Sequence, residues 1–379
     1  MNINKSNNVL VIDASRCKSG GAINHIVNLI KYLNYDDLKF SKIHIWSYNL
    51  LLQKLPNYPF LIKHNSFLLE LPLPFQLFWQ ALILRYYLKK HQCSILFTLD
   101  SSTLCRFKKH LVLNQDLLSF EKYIYQKMPF SYEKIRIIVL RYVQKLAFQN
   151  ATAVIFLSKY SKEKILEECD LKINSVVIAH GVDDDFKITN DCDWDFDLTK
   201  KIKCIYISPI LEYKNQISVI NSIFILRKKG YNISLNLVGG GNGYYYDLVL
   251  NYSKKLDKDN VWLNIDNFLS KNELVSRLKE NHLFVFASSC ETFGITLLEG
   301  MCSGIPIVCS NLSSLPEILL NGGLYFDPTS VSEISTKLEK LILDKELRIM
   351  LSKNSKNISN NYSWEKCSNE TFNLLNSLI

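Results

Sequence analysis

Two glutamates eight residues apart, Glu291 and Glu299, stand in the segment LFVFASSCETFGITLLEGMCSGIPIVCS (283–310). The apolar run Leu283–Ala287 reads as a buried strand, and a helix is expected from near Ile295 to Cys302–Gly304. That order puts Glu291 at the carboxyl end of a strand, just ahead of a helix N-terminus. Gly294 lets backbone approach closely there. The unpaired N–H groups of the first helical turn favour an anion such as a diphosphate. A carboxylate at Glu299 can accept two hydroxyl donors from a ribose. Taken alone, Glu299 reads as a solvated helix glutamate.

The elements that must position this segment recur along the chain. Strand-length apolar runs occur at Val9–Asp13, Ile43–Ser47, Ile95–Leu99, Leu111–Asn114, Val154–Ser158 and Val176–Ala179. A second series runs through Cys204–Ser208, Ser234–Val238, Val261–Leu263, Leu283–Ala287 and Ile307–Ser310. Few polar residues interrupt them, as expected of strands covered on both faces. Helical periodicity lies between, at Ala22–Leu33, Gln216–Lys228 and Ser332–Leu343. Strand alternating with helix predicts parallel sheets wound with helices. The polar stretch Asp183–Lys201 separates the two series and reads as a linker. The expected architecture is α/β, with two doubly wound Rossmann-like domains facing across a cleft. Ligands in such sheets bind outside the carboxyl ends of the strands.

Composition narrows the classes. A chain of 379 residues suits about two to three domains. Hydrophobic content of 47% with 21% charged residues excludes a disordered chain. Lys+Arg 45 against Asp+Glu 36 gives +9, which suits an anionic partner such as a nucleotide or phospholipid surface. The basic residues are dispersed and form no recognition motif, which disfavours nucleic acid. The 10 cysteines are scattered without a C-x-x-C pair, which argues against a zinc site or disulfide framework and for a reducing, cytoplasmic setting. The N-terminus lacks the pattern of a signal peptide, and no apolar run reaches transmembrane length. Phe75–His91 and Pro129–Gln149 are basic and amphipathic. Each reads either as a surface helix packing one apolar stripe inward or as a segment lying on the inner face of a membrane.

The run Glu291-Thr-Phe-Gly-Ile-Thr-Leu-Leu-Glu299, followed by Gly304-Ile-Pro306 and Pro316-Glu317, resembles the E-x7-E signature of family 4 retaining glycosyltransferases with the GT-B fold, of the bacterial surface-polysaccharide type. The resemblance covers most of the chain and is strongest over its last half. It implies an acceptor-binding domain over 1–186, a nucleotide-sugar domain over 187–361, and a helix over 362–379 that crosses back. It implies transfer of a hexosyl group from a nucleotide sugar to a hydroxyl of a growing glycan, O-antigen or capsule in type and either free or lipid-linked, without a metal or other cofactor.

The resemblance also assigns residues. Glu291, Thr292, Phe293, Gly294, Ile295, Thr296 and Glu299 would hold the donor, Glu291 at the sugar and Glu299 at the ribose. Ser15–Gly21 looks like the family's N-terminal glycine loop, with Gly20 and Gly21 lining the donor site. The glycine turn at Gly239 and Gly240 would flank the nucleotide, and Asn267 the base, where the family often has Gly. Ser208 and Pro209 stand where the family usually has Gly-Arg, whereas Lys214 remains to grip the diphosphate as a point charge. No histidine follows the strand ending at Asn114, so Asn114, Gln115 and Asp116 are the polar groups expected to face the acceptor. Glu291, Lys214 and Asp116 are the catalytic candidates. His180, before Gly181, is read as a hinge residue at the entry to the linker. Two rivals stay open: an accessory scaffold that has lost transfer activity, and a sugar-nucleotide epimerase, a class that lacks the E-x7-E segment.

Overall fold

Short apolar runs become two separate parallel sheets in the computed structural model, which describes residues 7–18, 20–127, 130–170, 173–187 and 200–379. The first sheet comprises β1 (Asn8–Asp13), β2 (Phe40–Trp46), β3 (Leu61–His64), β4 (Ile95–Thr98), β5 (His110–Asn114), β6 (Ala153–Phe156) and β7 (Ser175–Val177). Their order is β3-β2-β1-β4-β5-β6-β7. The second comprises β8 (Ile202–Ile207), β9 (Ile233–Val238), β10 (Leu263–Asp266), β11 (Leu283–Phe286), β12 (Ile307–Ser310) and β13 (Gly323–Phe326), in the order β10-β9-β8-β11-β12-β13. Every described pairing is parallel. Central strands are buried on both faces: Leu10, Val11 and Ile12 in β1 are closed to solvent, as are Leu283, Phe284 and Val285 in β11.

The chain divides into two units, Met1–Gly181 with Ser363–Ile379, and Val182–Tyr362. The helix Trp364–Ser377 is capped by the Ser363 hydroxyl, which accepts from the Lys366 N–H. It packs into the first unit, where the Ser368 hydroxyl donates to the Leu29 carbonyl at 2.8 Å and Asn376 Nδ2 to that of Asp37 at 2.8 Å. Trp364 lies edge-on to His25 and His180. The Nδ1 atoms of those two buried histidines are 2.9 Å apart, so one ring donates and the other accepts. Burial pushes His25 down to about 4 and His180 well below its usual value, leaving the pair neutral. A side chain at Gly181 would drive a Cβ to 2.1 Å from the Trp364 backbone nitrogen.

Three departures from the sequence reading have local causes. The strand expected at Val261–Leu263 begins at Leu263, because the Asp257 carboxylate takes the N–H groups of Val261, Trp262 and Leu263. The edge strands β3 and β13 carry Lys63 and His64, and Gly323, which dilute the apolar signal of a buried strand. The helical stretch 73–90 contains a π-turn at Trp79–Ile83. Of the expected linker, Asp184–Phe186 form a 3₁₀ turn and residues 188–199 lie outside the described residues, as does Ser19 of the Ser15–Gly21 loop.

Candidate functional site

Both sheets reverse their winding at one point, and polar side chains gather at the strand ends there. In the second unit the reversal lies between β8 and β11, and two loops are stitched together over it. The Tyr206 hydroxyl donates to the Lys214 carbonyl at 2.7 Å. Asn215 Nδ2 donates to the Ala287 carbonyl and to Ser289 Oγ, both at 2.8 Å, and the Ser289 N–H donates to the Tyr213 carbonyl at 2.8 Å. This stitching brings Lys214 Nζ into direct contact with Glu291 Oε1. The two side chains are only 9% and 16% exposed, so the pair is largely desolvated.

The bend after Glu291 is held by the loop that follows β12. The Glu291 N–H donates to Ser313 Oγ at 2.9 Å, and Ser313 and Ser314 hydroxyls both donate to the Glu291 carbonyl. Phe293 is buried edge-on against Tyr362, with ring centroids 5.6 Å apart. Gly294, at φ +93°, starts the helix Ile295–Ser303 without a side-chain cap. The first-turn N–H groups are therefore left for a ligand or water. Thr292, Ile295 and Thr296 are partly exposed beside them.

Glu299 sits further along that helix with only part of its surface reaching solvent. Burial first, and the Asp183 charge second, raise its carboxyl to about 8 against the pull of Lys271. Lys271 itself pairs with Asp183 at 3.4 Å and Asp185 at 2.5 Å. Across the sheet, Gly239 adopts φ +135°, and a Cβ there would lie 2.4 Å from the Ser208 carbonyl oxygen. Gly240 follows, with exposed Asn267 and Phe268 against it. Ser208 is buried and its hydroxyl accepts from Gln216 Nε2 at 3.1 Å. The second unit thus gathers Lys214, Glu291, Thr292, Gly294, Ile295 and Thr296 around one switch point, with Ser208, Gly239, Gly240 and Asn267 on the neighbouring strand ends.

Gly20 and Gly21 belong to the first unit, where they open the helix Gly20–Lys31. A Cβ at Gly20 would meet nothing within 4 Å, so no tight turn demands glycine there. The first unit has its own switch point, between β1 and β4. A cavity of about 120 Å³ lies there, lined by Arg16, Cys17, Ala22, Leu99, Asp100, Gln115 and Asp116. Arg16 Nε pairs with Asp100 Oδ2 at 3.2 Å. Asp116 Oδ1 accepts from the Leu118 N–H at 3.0 Å, and its carboxyl is raised by burial and by Asp100 against the opposing pull of that hydrogen bond and of Arg136 and Arg16. Gln115 Nε2 donates to the Leu99 carbonyl at 2.9 Å. Asn114 is fully buried, and its Oδ1 accepts from the Ser101 hydroxyl at 2.9 Å.

Several members of these sites carried no signal as single residues. Arg16 lay in the glycine loop but has meaning only through Asp100, 84 residues away. Asp183 and Lys271 matter only through their field on Glu299. Ser313 and Ser314 read as ordinary loop serines until their hydroxyls are seen holding Glu291.

Residues 193–358 match the family model described as glycosyl transferases group 1. An uncharacterized glycosyltransferase of Methanocaldococcus jannaschii is 28% identical over 60% of this chain and 60% of its own length. The O-antigen chain mannosyltransferase B of Escherichia coli is 32% identical over 30% of this chain and 29% of its own. The chain thus spans less than two thirds of these relatives. Sucrose-phosphate synthase from Thermosynechococcus elongatus superimposes with a TM-score of 0.78 at 15% identity, over 98% of this chain and 99% of the other. Anabaena HepE, solved with UDP-glucose, gives 0.72 at 18% identity, over 97% and 99%. The two doubly wound units are those of the GT-B fold, and the stretch 193–358 is similar to the group 1 glycosyl transferases.

Proposed function

We propose that this chain transfers a hexosyl group from a nucleotide sugar to a hydroxyl of a growing surface glycan, with retention at the anomeric carbon. The observation that carries the reading is the desolvated Lys214–Glu291 pair beside the uncapped N-terminus of the helix Ile295–Ser303. The donor diphosphate lies against that N-terminus and Lys214. Both are fixed before reaction, so they stabilise the charge that grows on the leaving group without reorganising. Glu291 accepts sugar hydroxyls, and Glu299 accepts the two ribose hydroxyls. The bond from the anomeric carbon to the phosphate oxygen breaks and a bond to the acceptor oxygen forms. The acceptor proton passes to the departing phosphate, so no strong protein base is required. Asp116 and Gln115 orient the acceptor. The reading invokes no resident metal at either site.

The choice of donor and acceptor class is supported by relatives whose names carry O-antigen and capsular polysaccharide, and by a structural neighbour holding UDP-glucose. A lipid-linked acceptor is supported by two unusual helix faces. Ile135, Ile138, Val139 and Tyr142 recur at helical spacing on Tyr132–Asn150, yet all four are exposed. Phe75, Phe78, Leu82 and Tyr86 do the same along 73–90, which ends in Lys89 and Lys90. Apolar stripes turned outward beside basic residues fit an anionic lipid surface. No described helix is long and apolar enough to cross a membrane.

A panel of nucleotide sugars tested for thermal protection, then for transfer to lipid-linked glycan, checks the reading. One donor should raise the melting temperature and support transfer that Glu291→Gln lowers by about 10²–10³-fold. Protection without turnover would instead favour an accessory scaffold, and conversion of the donor sugar without an acceptor would favour an epimerase. Flotation with anionic vesicles should be salt-sensitive and weakened when Lys89 and Lys90 lose their charge; absence of binding at low salt would remove the membrane part.

A further inference from the structure

Far from either switch point in sequence, three histidines meet at the edge of the first sheet. His44 lies on β2 and His64 on β3. The parallel register places His64 opposite Trp46, two residues beyond His44, so both imidazoles rise from the same sheet face. His91, the residue that ends the helical stretch 73–90, is set down over them. Its ring centroid lies 4.2 Å from that of His44 and 5.4 Å from that of His64. His44 Nδ1 and His64 Nε2 are 2.8 Å apart, and one ligand atom from each of the three rings lies within 4.8 Å of the others.

An aromatic wall holds the cluster in place. Trp46 stacks on His64 at 4.4 Å, and Tyr87, one helical turn before His91, packs on Trp46 at 4.3 Å. His44 is buried, whereas His64 and His91 are partly open to solvent, which gives an ion a way in and leaves room for water.

We infer that His44, His64 and His91 form a binding site for one divalent transition-metal ion of the zinc class. Imidazole nitrogens bind such an ion at about 2.0–2.1 Å, which sets neighbouring nitrogens roughly 3.3 Å apart around a tetrahedral centre. The observed spacing brackets that value, so small ring rotations suffice. The hydrogen shared between His44 Nδ1 and His64 Nε2 moves to the other nitrogen of the donating ring, freeing both lone pairs without net loss of a proton. Water takes the fourth position. Lys42 and Lys90 are the charged neighbours that bear on the cluster. A site of neutral nitrogen donors beside lysines gives no charge to attract a hard cation, so it selects zinc, cobalt, nickel or copper over magnesium or calcium. The bound ion would tie the four-residue edge strand β3 and the helix end to β2. This inference does not depend on the transfer activity proposed above.

The test is titration of the full, metal-free chain with Zn²⁺ and Co²⁺, with Mg²⁺ as control, by calorimetry and melting temperature. One equivalent of Zn²⁺ should bind and raise the melting temperature, whereas Mg²⁺ should not. Bound Co²⁺ should show a tetrahedral visible spectrum without a thiolate charge-transfer band, which separates this site from the free cysteines. His64→Gln and His91→Gln should each weaken Zn²⁺ binding by roughly 10-fold or more. Without metal His91→Gln should melt like the parent, His91 being a partly exposed helix end. No saturable Zn²⁺ binding, unchanged affinity in both variants, or a thiolate band with Co²⁺ would overturn the assignment.

Discussion

The two switch points share one winding rule and differ in what they hold. At β8/β11 a lysine and a glutamate are pressed together, 9% and 16% exposed, beside a helix start with no side-chain cap. At β1/β4 the corresponding ion pair, Arg16–Asp100, is 16% and 27% exposed and borders a cavity of about 120 Å³. The first joins the neutral N–H dipoles of a helix start to one lysine ammonium, a set suited to a diphosphate. The second is a ring of carboxyl, amide and guanidinium groups around a small space, suited to hydroxyls. On the proposed reading one fold serves two kinds of recognition, and the difference lies in the loops that follow equivalent strands.

The largest expected effect comes from the buried pair. Lys214→Met or Glu291→Gln should each lower transfer by about 10²–10³-fold, the usual cost of losing one preorganised contact to developing charge. Lys214→Met also leaves the Glu291 charge buried without its partner, which costs about 3–5 kcal/mol at most. The double variant should recover much of that stability and none of the activity. Denaturant unfolding alongside initial rates separates the two; recovery of activity would mean that the pair is structural. By contrast, Asp116→Asn should raise the acceptor KM about 10-fold with donor affinity unchanged, as measured by separate titrations of each substrate. An equal change in donor affinity would erase the distinction between the two sites.

Glu299 gives a smaller, pH-dependent effect. With its carboxyl at about 8, it is mostly protonated at pH 7. Ribose hydroxyls donate best to the carboxylate, so donor affinity should rise from pH 6 through pH 8 and level off at about pH 9. Glu299→Gln should bind donor more weakly and lose that pH dependence; a parallel slope in the variant would assign the titration elsewhere. The stability sign is opposite. A folded carboxyl raised above its unfolded value of about 4.3 destabilises the fold increasingly as pH climbs from there to 8. Glu299→Gln should therefore be more stable than the parent at pH 9, by about 1–3 kcal/mol, and nearly equal at pH 4.

The glycines give the smallest contrast. Gly239→Ala forces a Cβ against the Ser208 carbonyl at a positive φ and should cost stability by about 2 kcal/mol or more. Gly20→Ala meets open space at a helix start and should stay within about 0.5 kcal/mol. Melting curves of the two variants decide the matter, and equal losses would mean that the first-unit loop is as tightly shaped as the second.

Legibility in the sequence followed the same divide. The second-unit site was readable because its parts are local: Glu291, Gly294 and the helix start fall within five residues, and strand, bend and helix each leave a periodic signal. The first-unit site was less so, because Arg16, Asp100 and Asp116 come from three strand ends and meet only through sheet order. Asn114 shows the cost of reading a strand end by polarity alone, since its side chain turns inward to Ser101. The outward apolar stripe on Tyr132–Asn150 was legible as amphipathic, but periodicity does not say which face meets solvent. The histidine cluster left no trace, since His44, His64 and His91 share no motif and converge through strand register and a helix end.

A crystal structure with a bound nucleoside diphosphate tests the central claim most directly. The account predicts the diphosphate on Lys214 and the first-turn amides after Gly294, with the ribose hydroxyls on Glu299. A diphosphate seated instead at Arg16 and Asp100, with Lys214 still locked to Glu291, would contradict it.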